Sequence, residues 1–286
     1  MKTTMPKVTA LAPWYGAARM IAQHVGEELA GCRWVGVPFA GGMTELLYID
    51  APTIMASDLH GYVINLARCV ADPILYGPLK QRLENLTFHP VELEQAQQYC
   101  STCHPPLCNA QPNVTAAAHY FVCAWMGRNG KAGTKTEFSG GMSVRWEDGG
   151  GDSCVRFRSA VRAIAGWRNV LRRCTFHVLD CFEFLNKCKD QPGIGLYFDP
   201  PFPGPGDDYR HTFSMEDHQR LAKRLATLAA TRVVCRFYDT PTIRKMYPEE
   251  HWTYRPLKGR DQTNATKLEM LLLNGPSKFN PTTKLF

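Results

Sequence analysis

The chain has 286 residues, 44% of them hydrophobic and 21% charged. That is enough for one large α/β domain, or for a main domain carrying a smaller insert, and it excludes long disorder. The formal charge of +7 at pH 7 is compatible with a polyanionic partner without requiring one.

Eleven cysteines run from Cys32 to Cys235 with no secretory pattern before them. No apolar run has the length of a membrane span. The expectation is a cytoplasmic protein with reduced thiols and no membrane association. Cys100, Cys103 and Cys108, with His104 beside them, could open a zinc site if Cys123 supplied the fourth ligand. A loop of free thiols is the simpler reading, and no metal is expected.

Along the chain, a helix is expected from near Gly16 through Ala17–Leu29, because Met20, Ile21, Val25 and Leu29 recur at helical spacing. Trp34–Phe39 reads as a buried strand ending in the tight turn Pro38-Phe39-Ala40-Gly41-Gly42, with a helical stretch from Thr44. A second strand, Thr53–Ala56, ends at Ser57-Asp58, and the helix Tyr62–Val70 follows. Strand, glycine turn, helix, strand and acid open a nucleotide-type βαβ unit. From 72 to 172 the alternation fades and glycines cluster, which reads as an inserted segment with long loops. It resumes with the strand Thr175–Leu179, the helix Phe182–Cys188, the strand Gly195–Phe198, the helix Met215–Ala229, and the strands Arg232–Phe237 and Leu268–Leu273. The expected fold is α/β, a doubly wound, mostly parallel sheet built from 1–71 and 173–286, with 72–172 inserted.

The sharpest chemical signal is Leu196-Tyr197-Phe198-Asp199-Pro200-Pro201-Phe202. An apolar strand runs into a corner whose prolines fix φ and remove two backbone donors. The corner then presents acceptors only, the Asp199 carboxylate and the Pro200 carbonyl, with the Phe202 ring next to them. An exocyclic amine on a nucleobase offers two N–H donors and a π-face to match. Its nitrogen lone pair is delocalised, so two acceptors on the hydrogens favour a pyramidal nitrogen aimed at an electrophile. Positioning of this kind contributes about 7–11 kcal/mol in the best intramolecular cases. Asp199 would also stabilise the charge developing on nitrogen. The plainer alternative is a turn in which Asp199 only caps. The Gly41 turn allows close backbone approach by a ligand. Asp58, seventeen positions later (58 − 41), stands where an acid commonly bonds a ribose hydroxyl.

Taken together, these segments resemble the Dam-type N6-adenine DNA methyltransferases, especially the shorter phage and prophage forms. Pro13-Trp14-Tyr15-Gly16 looks like that family's N-terminal cofactor motif, and Pro38-Phe39-Ala40-Gly41 like its glycine motif. Asp58 matches the ribose-binding acid, Asp180 the acid beside the cofactor's adenine, and Asp199-Pro200-Pro201-Phe202 the catalytic motif. Leu268–Asn274 looks like its closing strand. The resemblance implies a Rossmann-like fold, S-adenosylmethionine as methyl donor, a flipped adenine in duplex DNA as acceptor, and a target-recognition region in the insert. It implies cofactor contacts from Trp14, Tyr15, Gly16, Pro38, Phe39, Gly41, Asp58 and Asp180. Three departures stand out. Ala17 and Ala18 precede Arg19 where a lysine is usual, Met43 takes the last glycine position of the turn, and Phe202 replaces the commoner tyrosine.

Between Val122 and Cys174 basic residues outnumber acids, with Trp125, Phe138, Trp146 and Phe157 interleaved. On glycine-rich loops, Arg128, Lys131, Lys135 and Arg145 suit phosphate contacts and base reading. Arg162, Arg168, Arg172 and Arg173 are expected on a helix whose apolar side is Val161, Ile164 and Leu171, and they read as ordinary surface. Phe213 is a weaker candidate for a wall of the cofactor pocket, and no histidine is assigned a role. The expected protein is a monomer that transfers methyl to adenine N6 without a covalent enzyme intermediate. The rivals are transfer to RNA or a protein amide, and a DNA-binding protein of the same fold with weakened catalysis.

Overall fold

A computed structural model describes residues 6–17, 19–105, 110–128, 131–144, 146, 151–204, 208–260 and 266–279, with side chains for all of these but 258–260 and 266–267. Seven strands form one sheet: β1 (Trp34–Val37), β2 (Thr53–Ser57), β3 (Cys174–His177), β4 (Ile194–Phe198), β5 (Arg232–Tyr238), β6 (Thr253–Arg260) and β7 (Thr266–Leu273). Their order is β3-β2-β1-β4-β5-β7-β6. The first five run parallel, and β7 runs antiparallel to both β5 and β6. The chain builds outward from β1 to β3, then returns to β4 on the other side of β1. Ligand crevices in open α/β sheets form at such a reversal, outside the carboxyl ends of the strands.

The helices among the described residues are α1 (Ala22–Glu28), α2 (Gly61–Ala71), α3 (Tyr76–Asn85), α4 (Pro90–Thr102), α5 (Val114–Met126), α6 (Ser153–Leu171), α7 (Cys181–Lys187), α8 (Met215–Leu225) and α9 (Pro241–Met246). One core cluster joins Tyr62 of α2, Phe121 of α5 and Trp167 of α6 to Val35 and Ile54 of the sheet. A second joins Phe184 of α7 and Leu221 of α8 to Phe198 and Phe237. With both faces covered, β4 is buried along its whole length. That is why Ile194–Phe198 reads as a continuous apolar run rather than an alternating one.

Several expectations change. The helix expected over Ala17–Leu29 spans only Ala22–Glu28. Tyr15 donates its N–H to Ala132, Ala17 donates its own to Trp14, and Met20 is 65% exposed rather than on the apolar face. The stretch from Thr44 is one 3-10 turn, Thr44–Leu47. Much of 72–172 is helical, in α3 to α6, and α5 and α6 share the core cluster of the sheet. The stripe of α5 is invisible to periodicity because Ala116–Ala118 and Tyr120–Met126 are all buried. The helix placed on Val161, Ile164 and Leu171 is α6, with all three buried. Sequence reading missed β6, whose Pro256 is tolerated because the strand lies at the sheet edge. No described helix is long and apolar enough to cross a membrane.

Candidate functional site

The loops leaving β1, β2, β3 and β4 converge on one cleft of about 950 Å³, its open mouth included. Trp14, Tyr15, Gly16, Pro38, Phe39, Gly41, Asp58, Asp180, Asp199 and Pro201 all line it, and so does Phe213. Pro200 is buried and Phe202 half-buried, and neither lines the cleft. The Phe202 ring packs edge-on against Tyr238 at 4.7 Å between centroids, with the Arg236 guanidinium 5.2 Å from it.

Each acid has a defined local job. Asp58 accepts from the Gly41 N–H at 2.8 Å with one oxygen and from the His60 N–H at 2.8 Å with the other. It therefore ties the β1 turn to the β2 turn and keeps one lone pair on each oxygen. Asp180 caps α7 through the Phe182 N–H at 2.8 Å with Oδ1. Asp199 accepts from Arg236 Nη1 at 3.1 Å with Oδ2. That guanidinium also reaches Glu269 Oε2 at 2.7 Å and the Gly16 carbonyl at 2.7 Å. Arg236 thereby fixes Asp199 against the closing strand and the N-terminal turn. Burial raises the Asp199 carboxyl above its ordinary value, and Arg236 works against that rise.

Trp14 holds the roof in place. A Cβ on Gly41 would stand 2.9 Å from Trp14 Nε1, and one on Gly133 would stand 2.5 Å from Cζ2. Gly41 has φ +42° and Gly133 φ +84°, conformations in which side chains are strained. The ring therefore meets a glycine of the β1 turn and a glycine of the segment 131–137. That segment also pairs with the loop after the Asp199 corner. The Lys135 N–H donates to the Asp208 carbonyl at 3.0 Å, and the Arg210 N–H donates to Gly133 at 2.8 Å.

Sequence reading missed a buried hub beneath this roof. His60 accepts from the Val63 N–H on Nδ1, so Nε2 carries the proton and donates to Glu137 at 2.7 Å. Glu137 also accepts from Arg210 at 2.7 Å and from the Gly133 N–H at 2.8 Å. Burial by itself would raise the Glu137 carboxyl, and His60, Gly133 and Arg210 together hold it below its usual value. The sequence offered no spacing signal for His60 or Glu137, which lie 77 positions apart.

Glu45 was missed as well. It lines the cleft at 6% exposure, and burial, reinforced by the Asp199 carboxylate, pushes its carboxyl up to about 7. One clue was legible: Glu45 is a lone charge set against the apolar pair Leu46-Leu47. Met43, just before this turn, has φ 61° and is fully buried. It adopts the left-handed backbone that a glycine would take without strain.

Of the basic residues proposed to read DNA, Arg128 and Lys135 are exposed and Lys131 is half-buried, while Arg145 lies outside the described residues. Cys108 lies outside them too. Cys100 is buried and Cys103 exposed, and no group of metal-binding side chains occurs among the described residues. No protein-family model matches the chain, and no curated protein matches it.

Proposed function

We propose that the chain is an S-adenosylmethionine-dependent methyltransferase acting on adenine N6 in duplex DNA. One observation carries the reading: Asp199 and Pro201 of the proline corner line the same cleft as the Gly41 turn, Asp58 and Asp180. The residues present fit the donor. The free lone pairs of Asp58 suit ribose hydroxyls, and the Asp180 carboxylate suits an adenine amine. Thr44 Oγ1 is buried in the cleft wall with no hydrogen-bond partner among the described residues, so a bound ligand would satisfy it. When bound, the donor supplies a methyl group on a positively charged sulfur. In this reading Asp199 accepts one amine hydrogen of the target base, and Arg236 keeps the carboxylate aimed. Pro200, the second acceptor expected from the sequence, does not line the cleft and takes no part in this reading. Exposed Arg128 and Lys135 contact DNA phosphates.

A DNA-binding protein with weakened catalysis is the second reading. It is favoured by Arg236 occupying Asp199 Oδ2 and by the raised Asp199 carboxyl.

Labelled methyl transfer to unmethylated duplex DNA, transfer RNA and a protein extract separates these readings. Label in DNA alone is the expected result. Label in RNA or protein moves the acceptor, and no label with DNA binding intact selects the second reading. Asp199→Ala is expected to lower transfer at least about a hundredfold with duplex affinity retained.

A further inference from the structure

Five carboxylates line the cleft, those of Glu45, Asp58, Asp180, Asp199 and Asp217, and no lysine or arginine joins them among the described residues. This is an acidic hollow in a chain of net charge +7. Four of the five have partners within the protein: backbone N–H groups for Asp58 and Asp180, Arg236 for Asp199, and Ser214 for Asp217. Glu45 differs. Among the described residues it forms no ion pair and no hydrogen bond to another residue's side chain, although it is more than nine-tenths buried. Its carboxyl bonds its own backbone N–H, while the hydroxyl of its neighbour Thr44, 2% exposed, has no partner among the described residues.

We propose that Glu45 is the counter-charge for a cationic group of the bound ligand, a sulfonium or an ammonium, with Thr44 beside it as a second polar contact. The inference rests on the methyl-donor reading above, since that donor carries both kinds of cation. A buried carboxylate without a cation is unfavourable as an anion and takes up a proton instead. A ligand that brings positive charge reverses this, so binding expels the proton.

The surroundings of Glu45 support that exchange. Tyr197 and Asp199 at the end of β4 and Arg236 on β5 are the charged and titratable groups felt by its carboxyl. Arg236 is committed to Asp199, Glu269 and Gly16. Asp58 and His60 of the β2 turn are bonded to backbone and to Glu137. Behind the turn, Arg173 donates to the Leu46 and Ile49 carbonyls. On α1, Glu27 and Glu28 accept from Arg255, Glu28 accepts from Arg232 as well, and His24 Nδ1 lies within bonding distance of Glu27 and Arg255. With the Glu45 carboxyl at about 7 in the free protein, binding a cation at pH 7 should expel roughly half a proton.

Titration calorimetry at pH 7, in two buffers of different ionisation enthalpy, counts that proton. The probes are S-adenosylmethionine, S-adenosylhomocysteine, which keeps the ammonium and lacks the sulfonium, and methylthioadenosine, which lacks both. Wild type should release roughly half a proton with S-adenosylmethionine. Release with S-adenosylhomocysteine as well assigns the ammonium, and release with S-adenosylmethionine alone assigns the sulfonium. Glu45→Gln, checked for an unchanged melting transition, should abolish the release and weaken S-adenosylmethionine at least about tenfold. Its affinity for methylthioadenosine should change less than about twofold. Tight wild-type binding without proton release, or the same release from Glu45→Gln, overturns the Glu45 assignment and leaves the methyl-donor reading standing. If none of the three probes binds, that reading falls, and the assignment falls with it.

Discussion

Glu28 and Glu45 are buried to nearly the same depth, 0% and 6% exposed, yet their surroundings are opposite. Glu28, at the end of α1, is bonded by Arg232 at 2.7 Å, Arg255 at 2.6 Å, Ser277 at 2.5 Å and the Lys278 N–H at 2.9 Å. Burial alone would raise its carboxyl. Ser277, the Lys278 N–H and Arg255 outweigh that and hold it below its usual value. Glu45 has no such company and moves the other way. A buried acid that is fully bonded ties α1, β5, β6 and the segment after β7 together. A buried acid left short of bonds beside a cleft points to a ligand.

The contrast is open to direct attack. Glu28→Gln removes the ionic partner of Arg232 and leaves Arg255 with Glu27 alone, and it should cost about 3–5 kcal/mol in urea unfolding. Glu45→Gln should cost far less at neutral pH, because it removes a carboxyl that the fold disfavours when ionised. The pH dependence sharpens the difference. The Glu45 carboxyl rises on folding from 4.5 to about 7, so the stability it contributes is complete below 4.5 and lost as pH climbs to 7. That loss is about 3 kcal/mol, and the gap in unfolding free energy between wild type and Glu45→Gln, measured at pH 5 and pH 7.5, reports it. Equal gaps at the two pH values would remove the proposed misfit. Glu28, with a lowered carboxyl, instead loses stability as pH falls below its ordinary range.

Smaller effects test the setting of Glu45. Met43→Gly relieves a left-handed backbone and deletes a fully buried side chain. The deletion should win, with a net loss of about 1–3 kcal/mol in denaturant unfolding. A gain in stability would show that strain dominates this turn. Lys135→Ala touches only the exposed basic rim. It should weaken duplex binding modestly and lower the slope of log affinity against log salt by about one. An unchanged slope would remove Lys135 from the phosphate contacts.

The parallel half of the sheet was legible because its strands are short apolar runs followed by turn chemistry: Trp34–Val37 before Pro38, Thr53–Ser57 before Asp58, Ile194–Phe198 before Pro200. The acids at those turns were legible for the same reason, since strand ends aim them at one crevice. Two kinds of feature were hidden. Helices buried nearly all round, such as α5, have no polar face to set a period. Residues whose role depends on distant partners, such as Glu137 with His60 and Arg236 with Glu269, announce nothing locally. Glu45 falls between: its oddity is visible in the sequence, and its meaning depends on Asp199 from another strand.

The Glu137 hub has a mechanical consequence. One carboxylate joins the β2 turn through His60, its own segment through Gly133, and the loop after the Asp199 corner through Arg210. Lifting 131–137 away would take that carboxylate with it and leave the buried His60 N–H without its acceptor among Trp14, Tyr62 and Tyr120, the rings packed around it. The segment is therefore a keystone rather than a hinged flap, and a nucleic acid that grips it grips the floor of the cleft as well.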